Sequence, residues 1–479
     1  MDLKGARLSE AKQRLLEIQR RGGLASAAPA VPEVKHRALE IPAPLSFAQE
    51  QVWRLDQTAG RLAPLHNESI TIHRYGPCDS AALEASLAEI VRRHEIWRTT
   101  FQVVAGQPVQ VVHSASAIFK LPVTDLRTLP EADREKKALD LATRDASAPF
   151  DLNHGPLFRA RLVSLHDAEH RLYLTAHQSI VDGITVFDIF PSELTALYES
   201  FAAGKPSPLP PLESQYADFA DWQRRSITGE AMEKQLAYWQ AQLAGELPIL
   251  RWPNNGARPP HQTFRGALHP FKLTHELTES LRDLGRREGA TLFMILLAAL
   301  VALLHGYTRQ EDIIIGTLAP SGRKQIEFQR LLGYFLNPVA LRANLSGNPS
   351  FSSLVGQMRD VTLSAISNDD VPLQLIAERL QLRSDPSRSL LFTVALSVAP
   401  DVPQLPPGWS MTYMDVESGG ARWDLYLELN DRAGGMIGRA QYNPDLFTAA
   451  TITQTLEDLR LLLEKVVADP AQRIGSLAE

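Results

Sequence analysis

His177-Gln178-Ser179-Ile180-Val181-Asp182-Gly183 is the stretch on which the interpretation of this sequence depends. The residues before it, 171–177, alternate between apolar and polar like a half-buried strand, and residues 184–201 carry apolar side chains at helical spacing. The stretch is therefore predicted to join a strand to a helix, where a rigid strand end holds side chains that the loop leaves accessible. By itself the pattern is weak, because Asp-Gly is common at such turns for capping and turn reasons.

The surrounding chain predicts alternating helices and strands on both sides of this stretch. Residues 159–165 form a second alternating strand, which is predicted to pair with residues 171–177 as a hairpin. Pro191 is expected to kink the following helix or to mark its true start. Further elements are predicted as two helices over 274–306, a buried strand over 312–318 and a helix over 354–366.

This pattern predicts an α/β (α+β) fold built from two lobes, since 479 residues exceed one ordinary compact domain. A stiff, proline-rich segment at 204–211 favours a boundary near the middle of the chain. The predicted divisions are an N-terminal helix and linker over 1–40, a first lobe over 41–224 and a second lobe over 225–479. The helix predicted at 9–21 is interpreted as a packing appendage, with a docking segment for an upstream protein as the alternative.

Composition excludes several classes of function. A formal net charge of -6 argues against a nucleic-acid binder held by phosphate contacts. The single cysteine, Cys78, lies in a predicted turn and excludes an intramolecular disulfide and a zinc site built on several cysteines. The longest apolar stretch, 292–304, is too short to span a bilayer. The N-terminus lacks the apolar core of a signal peptide. A cytoplasmic protein with no membrane partner is therefore expected.

Seven segments resemble, in order, the seven motifs of the condensation domains of nonribosomal peptide synthetases. The third is the stretch at 177–183, whose usual form in that family is H-H-x-x-x-D-G. The segments are PLSFAQEQVW (44–53), RHEIWRTTF (93–101), HQSIVDG (177–183), QYADFADW (215–222), LGYFLNP (332–338), SNDDVPL (367–373) and DPSRSLLF (385–392).

The resemblance implies two chloramphenicol-acetyltransferase-like lobes in a V, with a central tunnel between them. It also implies partners, namely donor and acceptor carrier proteins and neighbouring synthase modules. Each carrier protein would deliver its substrate on 4'-phosphopantetheine, and no cofactor is expected to be bound by this chain. A tunnel that brings two tethered reactants together raises their effective concentration and accounts for much of a rate gain.

Gln178 stands where the resemblance implies the second histidine, the base or positioning group of the family. A glutamine amide donates and accepts hydrogen bonds but does not titrate near pH 7. His177 remains, but adjacent residues of a strand point to opposite sides. It is therefore interpreted as a packing or hydrogen-bonding residue rather than a substitute base. The glutamine either follows loss of activity or serves a different reaction.

Other site residues follow from the same resemblance. Asp182 is implied to be structural through an ion pair with an arginine, for which Arg98 and Arg265 are the candidates, and helix capping is the alternative role. Gly183 is expected to allow close approach of the thioester or to supply an unusual torsion. Asn337 is placed in the tunnel by analogy, with a turn role before Pro338 as the alternative.

Three functions remain open for the chain. The first is acyl transfer from a thioester to an amine or hydroxyl. The second is another reaction on a carrier-bound acyl chain, such as dehydration of a β-hydroxyacyl thioester. The third is a non-catalytic platform that binds carrier proteins. The sixth and seventh motifs favour a polyketide-type donor, and no metal site is predicted.

Overall fold

The computed structural model describes residue 34 and residues 42–59, 64–115, 119–252, 257–399, 403–413, 415–432 and 434–477. The predicted N-terminal helix and docking segment lie outside these described residues. The described residues are 43% helical and 23% strand, and the predicted α/β fold class is confirmed. The central tunnel stays a prediction.

A five-stranded sheet combines four strands of the first half of the chain with one strand of the second. The strands are β2 (Asn67–Tyr75), β5 (Val123–Asp125), β6 (Phe158–His166), β7 (Glu169–His177) and β12 (Trp409–Tyr413). Their order in the sheet is β12-β2-β7-β6-β5. The predicted hairpin is confirmed, because β6 and β7 pair in antiparallel register. Strand β7 also pairs with β2, with Asn67 opposite His177.

A small three-stranded sheet, in the order β1-β4-β3, lies beside the larger one. Its strands are β1 (Ala43–Pro44), β3 (Thr99–Val104) and β4 (Gln107–Val112).

The second half builds a six-stranded sheet in the order β10-β9-β11-β13-β14-β8. The strand predicted at 312–318 is confirmed as β9, whose isoleucines are buried in the core. The strands are β8 (Ala267–Thr274), β9 (Asp312–Ala319), β10 (Asn337–Asn344), β11 (Val394–Ala399), β13 (Leu425–Arg432) and β14 (Gly435–Tyr442).

Helices cover the sheets of the first half. Pro191 lies in the first turn of α4, so it marks the start of that α-helix, and a π-helical turn at Thr185–Ile189 precedes it. The helices are α1 (Phe47–Ala59), α2 (Ser80–Arg93), α3 (Glu131–Ser147), α4 (Phe190–Ala202) and α5 (Tyr216–Ser226), with 3-10 turns at Glu95–Arg98 and Gln178–Ile180.

The two helices predicted over 274–306 are confirmed, and local signals set their ends. Thr274 caps the first helix, which ends at Gly289 in the left-handed region at φ 63°, and Thr291 caps the second. The helices of this half are α6 (Gly229–Gln242), α7 (His275–Glu288), α8 (Leu292–Thr308), α9 (Phe351–Ile366), α10 (Leu373–Arg379), α11 (Ala449–Ala468) and α12 (Ile474–Leu477), with 3-10 turns at Ser321–Arg323 and Ile326–Phe328.

Helix α8 is the most apolar element, and it lies within the core of the second half. Among the described residues, no single helix has the length and hydropathy to cross a bilayer. Helices α7 and α8 meet those criteria only together, and they are bent by 99° relative to each other.

Segments of the second half cross the boundary predicted at 224/225 and pack on the first half. Strand β12 belongs to the second half by sequence but pairs with β2 of the first sheet. Phe328, Leu332 and Phe335 also pack into the core of the first half. These crossings bring residues of both halves to the end of β7, where the stretch 177–183 lies.

Candidate active site

The stretch 177–183 lies between a strand and a helix, as predicted. Strand β7 ends at His177, a 3-10 turn follows at Gln178–Ile180, and the π-helical turn begins at Thr185. The His177 ring caps the 3-10 turn by accepting the backbone N–H of Ser179 at Nδ1, at 3.3 Å. The His177 ring therefore helps to fix the backbone of the turn that begins at Gln178.

His177 is buried, and both of its ring nitrogens are hydrogen-bonded, as the prediction of a packing or hydrogen-bonding residue required. Its Nδ1 lies 2.7 Å from Oγ of Ser179, and its Nε2 lies 2.8 Å from Oδ2 of Asp56 in helix α1. Because the Ser179 N–H donates to Nδ1, the proton of the neutral ring lies on Nε2 and is donated to Asp56.

Asp56 joins His177 to a second buried histidine, His66, which lies outside all seven motif segments. Nδ1 of His66 lies 2.6 Å from Oδ1 of Asp56, and the two imidazole rings are 5.7 Å apart. Burial would raise the pKa of the Asp56 carboxyl, but the hydrogen bonds from His177 and His66 outweigh it and hold that pKa well below its usual range. Burial lowers the pKa of His66, although the Asp56 carboxylate acts in the opposite direction.

The same three side chains offer one ligand atom each within 4.8 Å, of the types that zinc accepts. The sequence predicted no metal site, because no local spacing links residues 56, 66 and 177. A metal on Nε2 of His177 would require the proton on Nδ1, where the Ser179 N–H already donates. The hydrogen bonds therefore favour a proton network over a metal centre.

Gln178 differs from its neighbours His177 and Ser179, whose side chains are hydrogen-bonded to each other. Its backbone N–H donates to the carbonyl of His66 at 2.7 Å, so its position is fixed. Its side chain is only partly buried, and its amide makes no hydrogen bond with the described residues. The amide thus remains available for hydrogen bonds to a bound substrate.

Asp182 pairs with Arg323, and the candidates named from the sequence were wrong. The side chains of Asp182 and Arg323 are 0% and 2% exposed, with Nη2 to Oδ1 at 2.8 Å and Nε to Oδ2 at 3.1 Å. Asp182 also accepts the backbone N–H groups of Thr185 at 2.7 Å and Phe335 at 3.2 Å. The capping and ion-pair roles therefore coexist in one buried carboxylate.

Arg98 and Arg265 lie elsewhere because their local contacts hold them. Arg98 pairs with Glu95 at 3.6 Å and donates to the carbonyl of His113. Arg265 is 64% exposed and pairs with Asp445 at 2.6 Å. Proximity in sequence to a motif did not identify the partner of Asp182, because that partner is 141 residues away.

Gly183 has no unusual torsion, so that part of the expectation was wrong. A Cβ at this position would meet the Phe187 ring at 3.5 Å, which is ordinary contact. Close approach of a thioester to this glycine stays a prediction.

Asn337 is the first residue of β10 rather than part of a turn. Its buried amide donates to the carbonyls of Asp369 at 2.7 Å and Val371 at 2.8 Å. These bonds tie the fifth motif to the sixth. A tunnel role for Asn337 stays a prediction.

A further buried centre in the second motif had no marker in the sequence. Glu193 of α4 accepts from Nε2 of His94 at 2.8 Å and from Nε of Arg93 at 3.1 Å. Nδ1 of His94 accepts the backbone N–H of Leu332 at 3.4 Å, which links the second motif to the fifth.

Comparison with known proteins gives a match to the family model described as "Condensation domain" over residues 40–478. Phosphinothricin tripeptide synthetase PhsC of Streptomyces viridochromogenes is 36% identical over 480 residues, which are 98% of this chain and 43% of that protein. Chondramide synthase cmdD of Chondromyces crocatus is 37% identical over 91% of this chain and 11% of its own length. The chain thus spans less than half the length of these relatives.

Among solved structures, the X-domain from teicoplanin biosynthesis superposes with a TM-score of 0.81 at 28% identity, over 92% of this chain and 99% of the X-domain chain. The X-domain has also been solved in complex with OxyB. The first condensation domain of the calcium-dependent antibiotic synthetase superposes with a TM-score of 0.77 at 20% identity, over 91% of this chain and 99% of the domain.

Proposed function

The chain belongs to the condensation-domain family of nonribosomal peptide synthetases, and we propose that it transfers an acyl group from a carrier-protein thioester to an amine or hydroxyl on a second carrier protein. The substrates are held on 4'-phosphopantetheine arms that meet beside the 177–183 stretch. The chain acts within a peptide or mixed polyketide–peptide assembly line. A polyketide-type donor stays a prediction from the sixth and seventh motifs.

One observation carries this proposal. The stretch keeps its two supporting residues fully paired, His177 with Asp56 and Asp182 with Arg323, while the Gln178 amide makes no bond with the described residues. A site in which only the substrate-facing group lacks partners fits one that holds a ligand. Gln178 is suited to orient the nucleophile or polarise the thioester carbonyl, because an amide both donates and accepts.

The test is mass spectrometry of donor-loaded carrier protein incubated with this chain, with and without a loaded acceptor. We expect the acyl group to move to the acceptor and to leave the donor phosphopantetheine as a free thiol. Boiled protein and unloaded donor are the controls. Loss of one water from the donor without an acceptor would replace the proposal with dehydration of the acyl chain.

A binding platform is the second candidate, and the 28% identity to the teicoplanin X-domain, which is known in complex with OxyB, favours it. Gln178→His separates the candidates. A rise in transfer supports condensation chemistry, and a fall shows that glutamine itself serves the native reaction. Binding of loaded carrier protein without turnover by either form supports the platform.

A further inference from the structure

His66 has one ring nitrogen that the fold leaves unused. Its Nδ1 is bonded to Asp56, but its buried Nε2 has no hydrogen-bond partner among the described residues. Buried polar atoms are nearly always paired, so an unpaired acceptor in a buried ring requires an explanation. A substrate group that donates a hydrogen bond to this nitrogen would supply the missing partner.

The position of His66 relates it directly to the glutamine of the motif. The last residue pair of β2 and β7 is Asn67 opposite His177, and His66 and Gln178 adjoin that pair. The backbone N–H of Gln178 donates to the carbonyl of His66 at 2.7 Å. An imidazole therefore belongs to the residue that the backbone of the motif glutamine contacts.

Asp56 and His66 form the pairing that activates a histidine as a base. A carboxylate on Nδ1 fixes the tautomer, leaves the lone pair on Nε2 and stabilises the imidazolium when a proton arrives. Burial lowers the pKa of His66, and His177 and Arg422 add to this, so the ring is neutral at pH 7. Asp56 is the group that favours protonation of the ring.

One further polar group acts on this ring. The Arg422 guanidinium lowers the pKa of His66, and its buried Nη1 has no hydrogen-bond partner among the described residues. A guanidinium N–H is a donor of the kind that stabilises negative charge developing on a thioester oxygen. Since Nε2 of His66 is buried, an acceptor substrate reaches it only when neighbouring side chains move aside.

We propose that His66 is the proton-accepting residue of this site and replaces the motif histidine that Gln178 lacks. The inference rests on the proposed acyl transfer. The acceptor amine nitrogen bonds to the thioester carbon, the carbon–sulfur bond breaks, and the amine proton passes to Nε2 of His66. The same proton then passes to the departing phosphopantetheine thiolate, which leaves the ring neutral again.

The test combines His66→Gln with Gln178→His in the full chain, assayed with acyl-loaded donor and amine-loaded acceptor carrier proteins. We expect His66→Gln to lower kcat by about a hundredfold or more, with KM little changed. The double variant His66→Gln/Gln178→His is expected to recover most of the lost kcat, because it returns an imidazole to the place where the family's motif has one. His73→Gln is the matched control, since His73 lies towards the other end of β2 and its ring bonds Thr412.

The inference fails if His66→Gln keeps kcat within threefold of the parent, or if the double variant remains as slow as His66→Gln. If the parent chain transfers no acyl group, the proposed function fails separately. Proton–nitrogen NMR of the histidine rings then decides the role of His66 without turnover, because the proton must lie on Nδ1. A proton on Nε2, or retention of one equivalent of added zinc that His66→Gln abolishes, would overturn the assignment.

Discussion

Two carboxylates support the 177–183 stretch, the buried Asp182 and the partly buried Asp56, and they differ in how completely their partners are hydrogen-bonded. Arg323 donates two hydrogen bonds to Asp182, and two backbone N–H groups donate to the same carboxylate. Asp56 is also bonded on both oxygens, but its partner His66 keeps an unpaired Nε2 among the described residues. The difference indicates that the Asp182–Arg323 pair maintains the fold. In the Asp56 network, by contrast, Nε2 of His66 can still accept a hydrogen bond from a substrate.

The largest effect is expected from Asp182→Ala. Removing this carboxylate leaves the buried Arg323 charge without compensation, which costs on the order of 3–5 kcal/mol. Urea unfolding followed by circular dichroism measures the loss. Arg265→Ala is the control, because an exposed ion pair contributes about 1 kcal/mol or less. Equal losses in the two variants would contradict the pairing seen here.

Asp56→Ala is expected to cost less, on the order of 1–3 kcal/mol, because it leaves two buried histidine N–H groups without an acceptor but no buried unpaired charge. The same unfolding assay ranks it against Asp182→Ala. A loss from Asp56→Ala that exceeds the loss from Asp182→Ala would reverse the distinction between the two centres.

Acid should destabilise the parent protein more than His66→Gln. The folded-state pKa of His66 lies below its unfolded value of about 6.5, so below that pH the unfolded chain binds a proton that the folded chain resists. The stability present above pH 6.5 is therefore lost as the pH falls. As the pH falls below about 6.5, we expect the parent to lose more stability than His66→Gln in urea titrations. Parallel pH profiles would show that His66 does not titrate as described.

Gln178→His should change the free energy of unfolding least, by about 0.5 kcal/mol or less. The side chain is only partly buried and makes no hydrogen bond with the described residues, so its replacement removes no side-chain hydrogen bond to them. Thermal unfolding of the parent and the variant measures the difference. A loss as large as that of Asp56→Ala would show that Gln178 supports the fold.

The sequence predicted the elements around the site well, because their signals are local. The β6–β7 hairpin follows from alternation of side chains, and Pro191 marked the start of α4 as one of its two predicted roles. The two helices predicted over 274–306 are α7 and α8. The role of His177 was also predictable, since neighbouring strand residues point to opposite sides. Strand β12 was not predicted to join the first sheet, because strand pairing between segments more than about 300 residues apart has no local marker.

By itself, the sequence indicated the family through the order of seven motif-like segments, and the resemblance predicts that Gln178 stands where the family has histidine. Only the tertiary structure decided that Arg323 pairs with Asp182, and that Asp56 joins His66 to His177. The physical reason is that backbone periodicity and capping act within a few residues. By contrast, the partner of a buried charge is whichever group the packing of distant segments brings within about 3 Å of it.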